Sequence, residues 1–312
     1  MAQWGTPGKV LYPAAVTPHS GNLAAVHFVI PFYGADRYLF ATIASAQRLN
    51  RADWTMTVID DCNPDTKVAD HIDQLDDGRI RYIRNEGNLG VAGNLYRALQ
   101  VGAESSARYV TSLGADDLLL PNYIDVIDRA FRDYPSAIIV QPGVAIIGEY
   151  EQPIVPLADR VKRAASWSAR RRGEIGGEDA VASLLRGNWT YLPSLAFRRD
   201  VIERTRARCD IDAISDLSHT IDMLLAGGTI ALPAEIAFYY RRHAGNDSST
   251  RARSGRRFDE ERRYYQEISA ELTRRGWTRA ARAADRHLMS RLHEIVATYG
   301  RNERRPLRLK SR

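Results

Sequence analysis

The chain has 312 residues, 44% of them hydrophobic and 26% charged, with a net charge of +6. That is an ordinary globular composition, and no apolar stretch approaches the roughly 20 residues that span a bilayer. Two cysteines without metal-type spacing exclude a disulfide scaffold and fit a reducing compartment, so the expected location is cytoplasmic.

Residues 1–22 lack a basic stretch followed by an apolar core and are expected to be a flexible leader rather than a secretory signal. Ala24 to Pro31 then reads as a buried strand and Asp36 to Leu49 as a helix. Trp54 to Ile59 is a second strand, ended by Asp60, Asp61 and an Asn-Pro turn. A short helix over Val68 to Leu75, an alternating strand over Arg79 to Arg84 and a helix over Gly93 to Ala103 follow. Arg108 to Leu113 is a fourth strand, Pro121 to Tyr134 a proline-started helix, and Ala137 to Ile147 one long apolar strand. Val155 to Gly177 is basic and irregular and is expected to be a flexible loop. Ala180 to Arg186 is expected to be helical, Trp189 to Arg198 a strand, and Ser215 to Ala226 a helix ended by two glycines. Thr229 to Tyr240 is β-prone but interrupted by Pro233, and two charged helices close the chain over Phe258 to Arg274 and Thr278 to Tyr299.

The β-α-β-α order predicts a largely parallel sheet with helices on both faces. Ligands of such sheets sit outside the carboxyl ends of the strands, where both acidic pairs fall: Asp60-Asp61 and Asp116-Asp117. In SLGADDLLLP a strand delivers two adjacent carboxylates, a pattern that suits a hard divalent cation bridged to phosphate; helix capping by Asp116 or Asp117 explains it equally. In FVIPFYG, Tyr33 offers a ring to a base and Asp61 an acceptor to a base N–H or ribose hydroxyl; the alternatives are a core ring and an Asx-turn. Asp216, heading a helix, is a candidate general base or an N-cap. In YYRRHAGNDSS a strand-end Arg and His suit a diphosphate, although such a stretch is also simply a loop.

In this order, VIPFYG, VIDDCNPD, NEGNLGVAGNLYRAL, LGADDLLLP, the Asp216 helix and YYRRHAGNDSS resemble family 2 glycosyltransferases of the GT-A fold over roughly residues 24 to 250. The resemblance implies an α/β, GT-A-type nucleotide-binding sheet over residues 23–250, mostly parallel with flanking helices, plus a basic C-terminal helical extension over residues 251–312. It further implies an inverting, metal-dependent transfer from a UDP- or dTDP-sugar to a carbohydrate, lipid-linked or small-molecule acceptor. Tyr33 and Asp61 would hold the base, with Pro31 shaping the loop. Asp116 would ligate Mg²⁺ or Mn²⁺, with Asp117 beside it. Asp216 would deprotonate the acceptor hydroxyl, and Arg241 and His243 would face the diphosphate or metal. Gly90 and Asn94 would line the donor site, although NLGVAGN lacks the family's usual Ala-Arg-Asn triplet. The acceptor would enter beside Gly187 to Ser194.

One departure stands out: Gly114 occupies the position of the motif's first Asp. It keeps a non-catalytic nucleotide-sugar-binding protein in play, whereas a nucleotidyltransferase would need an early Gly-rich phosphate loop that PFYGADR does not provide. The Arg-rich stretches carry no nucleic-acid motif and read mainly as solvated faces. The apolar stripe Ile268, Leu272, Leu288, Leu292 and Ile295 is expected to pack on the domain or a second subunit; the alternative is contact with the inner membrane face.

Overall fold

The structure is a computed structural model. It describes residues 24–64, 67–157, 159–162, 164, 173–204, 211, 214–243 and 256–287. The sequence holds two Asn-x-Ser/Thr sequons, Asn188-Trp189-Thr190 and Asn246-Asp247-Ser248; the second, the leader, Cys209 and the stripe residues Leu288, Leu292 and Ile295 lie outside the described residues.

The elements run β1 (Val26–Phe32), α1 (Asp36–Gln47), β2 (Trp54–Asp60), α2 (Lys67–Leu75), β3 (Ile80–Arg84), α3 (Gly90–Ala103), β4 (Tyr109–Ser112), β5 (Leu118–Leu119) and α4 (Tyr123–Asp133). Then come β6 (Ala137–Val140), β7 (Gly143–Ile147), β8 (Glu174–Gly176), α5 (Gly177–Arg186), β9 (Ala196–Arg198), α6 (Arg199–Arg204) and α7 (Ser215–Leu225). The series ends with β10 (Thr229–Ala231), β11 (Ile236–Arg241), α8 (Arg256–Arg274) and α9 (Thr278–Arg286).

The main sheet has eight strands in the order β3-β2-β1-β4-β9-β6-β10-β8. β1 pairs parallel with both β2 and β4, and β2 with β3. β9 runs antiparallel between β4 and β6, and β8 antiparallel on β10. The continuous apolar runs of β1 and β2 suit strands covered on both faces, while the alternation in β3 marks the wet edge. A small second sheet, β5-β11-β7, stands beside the first.

Several expectations are corrected. The run Ala137 to Ile147 is two strands, because Pro142 cannot donate to a ladder: β6 joins the main sheet and β7 the small one. At the crossing a Cβ on Gly143 would lie 2.7 Å from the carbonyl oxygens of Ala234 and Glu235, so only glycine lets the backbones meet. Trp189 to Arg198 is a strand only from Ala196, because a 3-10 turn at Leu192–Ser194 holds Pro193. Within Val155 to Gly177, Asp159 to Lys162 are helical and β8 completes the sheet edge. Leu118–Leu119, with two residues, is too short to announce itself as a strand.

The described part of the C-terminal extension belongs to the domain core. Tyr264, Ile268, Leu272 and Ala280 share one apolar cluster with Val29 and Phe197 of the sheet. No helix of the described residues is long and apolar enough to cross a membrane.

His219 of α7 sits in the same interior, its ring 5.8 Å from that of Phe197 and both nitrogens without a hydrogen-bond partner among the described residues. Burial lowers its pKa from 6.5 to about 4. A depressed histidine pKa means that stability is full above pH 6.5 and is lost as pH falls from there toward 4, by up to about 3 kcal/mol for this group. His27, lowered to about 4 by burial and then by Arg81, acts in the same direction. Urea unfolding of His219→Leu at pH 5 and pH 8 should therefore show a smaller acid penalty than the parent, and an identical penalty would contradict this assignment.

Candidate active site

Because β1, β2 and β4 are parallel neighbours, their carboxyl ends open onto one edge. Phe32 lies opposite Asp60, so Tyr33 and Asp61 leave the sheet side by side, and Leu113 bonds Val29 on the other flank of β1. At about 4.8 Å per strand, the loops after β2 and β4 lie roughly 10 Å apart, a span that a nucleoside diphosphate bridges.

Asp61 is buried and is saturated on one side. Its Oδ1 accepts from Leu89 N–H at 2.8 Å and Asn85 Nδ2 at 2.9 Å, and its Oδ2 from Gly90 N–H at 2.9 Å. It thus serves the exposed N–H groups at the start of α3, whose positive dipole end holds the carboxylate in place. Gly90 has φ +72°, which favours glycine, and so helix α3 begins three residues earlier than its apolar pattern suggests. Asn85 also donates to Asn94 Oδ1 at 3.0 Å, and Asn94 Nδ2 to the Ile59 carbonyl at 3.2 Å, so Gly90 and Asn94 shape the pocket wall through Asp61. Tyr33 is 60% exposed, and Pro31 lies within β1 shortly before it. Asp60 faces inward, accepting from Arg84, Tyr82 and the Asn63 N–H, and its role is structural.

The acidic loop after β4 is held from behind by β11. The Arg241 N–H donates to Asp117 Oδ1 at 2.8 Å, and its Nε to the Asp116 carbonyl at 2.7 Å. The same guanidinium reaches the Glu149 carbonyl at 3.1 Å and Glu151 at 3.0 Å. Arg241 is buried and spends its donors on protein groups, so its geometry is that of a loop anchor. Asp117 is fully buried, with Oδ2 lacking a partner in the structure; burial, reinforced by the Asp116 charge, pushes its carboxyl well above the usual range. Asp116 points outward, with Oδ2 2.9 Å from His243 Nε2, and the His243 ring stacks on Tyr38 at 4.6 Å. Tyr38 had no signal in the motifs, since it belongs to α1 and meets His243 only through the fold.

Gly114 explains its own departure. A Cβ there would lie 2.4 Å from Asp117 Oδ2 and 3.2 Å from Asp116 Oδ1. The glycine leaves a small hollow toward which oxygens of both carboxyls converge. Among the described residues no three His, Cys, Asp or Glu side chains gather into an ion cage. Asp116 and His243 are two adjacent side chains that a divalent cation could share with a substrate phosphate.

Asp216 stands in the first turn of α7, and its Oδ2 accepts from Asn188 Nδ2 at 2.7 Å. Asn188 Oδ1 in turn accepts from the Thr190 hydroxyl at 2.6 Å and the Thr190 N–H at 3.1 Å, so its amide is committed and its sequon pattern is incidental. Lys162 donates to the Thr190 carbonyl at 2.9 Å and lies 4.5 Å from the Tyr191 ring. Burial lowers its pKa, with the Asp216 charge opposing. Hidden in an Arg-rich run, Lys162 read as a solvated charge; it is instead packed against Thr190 and Tyr191.

One electrostatic neighbourhood joins the two halves. Arg242 pairs with Asp159 at 3.0 Å, and both influence Lys162 beside Asp216. Burial raises the Tyr240 pKa, and Asp117, Asp116 and Asp159 add to the effect. Contacts along the chain connect the two acids: Asp116 to Arg241, its neighbour Arg242 to Asp159, Asp159 to the Tyr191 hydroxyl, and Thr190 to Asn188 and so to Asp216.

A parallel sheet with carboxylates at its carboxyl edge, backed by a small second sheet, is the frame of a nucleotide-sugar transferase. A family model described as Glycosyl transferase family 2 matches residues 27–187, about half of the chain, and the chain belongs to that family. Among curated proteins it is 29% identical over 101 residues to UDP-Glc:alpha-D-GlcNAc-diphosphoundecaprenol beta-1,3-glucosyltransferase WfgD of Escherichia coli, a match covering 32% of this chain and 38% of that protein. Among solved structures it is similar to S. aureus TarS 1-349 in complex with UDP-GlcNAc: TM-score 0.58, 13% identity, 78% of this chain and 66% of that one. The complex of TarS 1-349 with UDP gives 0.56 and 12%, over 90% and 92% of the two chains. At these identities the TarS likeness shows the fold.

The Gly114 hollow makes a direct prediction. Gly114→Asp, which reinstates the motif's first carboxylate, should destabilise the protein by about 1–3 kcal/mol because its Cβ meets Asp117 Oδ2. Adding Asp117→Ala should recover part of that loss in urea unfolding, and an unchanged midpoint in Gly114→Asp alone would contradict the packing argument.

Proposed function

We propose that this family 2 enzyme transfers a sugar from a UDP- or dTDP-sugar to a hydroxyl of a lipid-linked acceptor, by a single inverting displacement with a divalent cation. The observation that carries the reading is the run of contacts that joins Asp116–His243 to Asp216 through Arg241, Arg242, Asp159, Tyr191, Thr190 and Asn188. The named acceptor of WfgD, a diphosphoundecaprenol-linked sugar, supports the lipid-linked class. The UDP and UDP-GlcNAc complexes of TarS support a uridine donor.

In this reading the donor base stacks on Tyr33, and its N–H turns to the open side of Asp61. Asp116 and His243 would hold Mg²⁺ or Mn²⁺, and the ion would supply positive charge against the diphosphate. Asp117 and Arg241 keep the Asp116 loop rigid from behind. The acceptor enters along Asn188, Trp189 and Thr190. Its hydroxyl oxygen attacks the anomeric carbon, the bond from that carbon to the phosphate oxygen breaks, and the hydroxyl proton passes to Asp216. Asn188 orients Asp216 for this step. Residues 23–250 form the catalytic domain, with the helices from residue 251 onward as its extension.

Asp216→Asn should lower kcat by about 10²–10⁴-fold with little change in KM for the donor. A folded variant with normal turnover would remove Asp216 from the base role. Asp116→Ala should abolish the Mn²⁺-dependent part of UDP binding in calorimetry, and unchanged metal dependence would overturn the metal assignment.

A further inference from the structure

Away from the donor edge, helices α5 and α9 pack side by side. The buried alanines of α9, Ala280, Ala281, Ala283 and Ala284, let the two backbones approach closely. The opposite stripe of α9 carries Arg279, Arg282 and Arg286, at i, i+3 and i+7. Arg186, in the last turn of α5, faces them. Together with Ala283, these four arginines line an open pocket of about 230 Å³.

Arg279 is compensated by bonds to Glu178 and Asp179. Arg186, Arg282 and Arg286 have no carboxylate partner among the described residues, and Asp285, next to Arg286, is turned away onto Ser269 at 2.6 Å. Helix C-termini favour a cation, which accounts for Arg186 and Arg286 singly. It does not account for Arg282, nor for three guanidiniums without a carboxylate among the described residues around one concavity, where they repel each other. An anion removes that cost. The pocket falls below the 300 Å³ or so of a site for a whole nucleotide, and guanidinium forks match phosphate oxygens in pairs.

We infer that the pocket between α5 and α9 is a second anion site, built for a phosphate or diphosphate group and separate from the donor edge. Arg186 lies two residues before Asn188, the partner of Asp216. The inference uses neither Asp116 nor Asp216 and stands without the proposed chemistry.

The test uses the full chain at low salt with EDTA present, so that metal-dependent binding at the donor edge is silent. Inorganic pyrophosphate should bind the parent, and the double variant Arg186→Gln/Arg282→Gln should bind it at least about tenfold more weakly. Asp116→Ala should bind like the parent. In a second arm, phosphatidylglycerol vesicles are compared with phosphatidylcholine vesicles by flotation. Capture by the anionic vesicles alone, lost in the double variant and competed by pyrophosphate, assigns the site to a lipid headgroup. Pyrophosphate binding without vesicle capture assigns it to a free phosphate ligand. Because all four arginines are solvent-exposed, the variants should melt with the parent, and Arg286→Gln provides an independent check with the same direction of change. Absence of binding in both arms, or equal binding by parent and double variant, overturns the inference.

Discussion

The site depends on one clamp, in which strand β11 grips the loop that carries Asp116 and Asp117. A backbone N–H and a guanidinium from the same residue, Arg241, take the Asp117 carboxyl and the Asp116 carbonyl. The strand is locked in turn by β5 and β7, and the turn after it brings His243 to Asp116. Asp117 gives up its solvent exposure, so that its neighbour can be held outward at fixed geometry. A carboxylate positioned in this way loses little freedom when a cation or phosphate arrives.

The same logic runs along the rest of the edge. Asp61 spends three acceptor positions on the start of α3, which fixes the wall against which a base would lie. Asp216 is oriented by Asn188, itself bound to Thr190. In each case a polar side chain behind the reacting group fixes its direction, and in each case that second residue comes from a different part of the chain.

This explains what could be read in advance. Strands β1 to β4 and the acidic pairs at their ends are local patterns, and the parallel order follows from the helices between them. The residues behind them are non-local. Nothing around Leu89 or Gly90 announces that their N–H groups serve a carboxylate 28 and 29 residues earlier. Arg241 looked like a phosphate ligand because its sequence neighbours are polar, yet its guanidinium is buried among carbonyls. Lys162 was hidden in an Arg-rich run, of which Arg160 is exposed. The break at Gln141-Pro142 was marked by the proline, but the apolar run on either side of it masked the change of sheet.

The central claim is that the Asp116–His243 pair is where the metal and the donor diphosphate meet. Crystals grown with Mn²⁺ and UDP test it most directly through anomalous scattering. The account predicts a manganese peak within coordination distance of Asp116 and His243, with the UDP phosphates on its open side and the base over Tyr33. A manganese peak elsewhere, or UDP bound away from the edge formed by β1, β2 and β4, would contradict it.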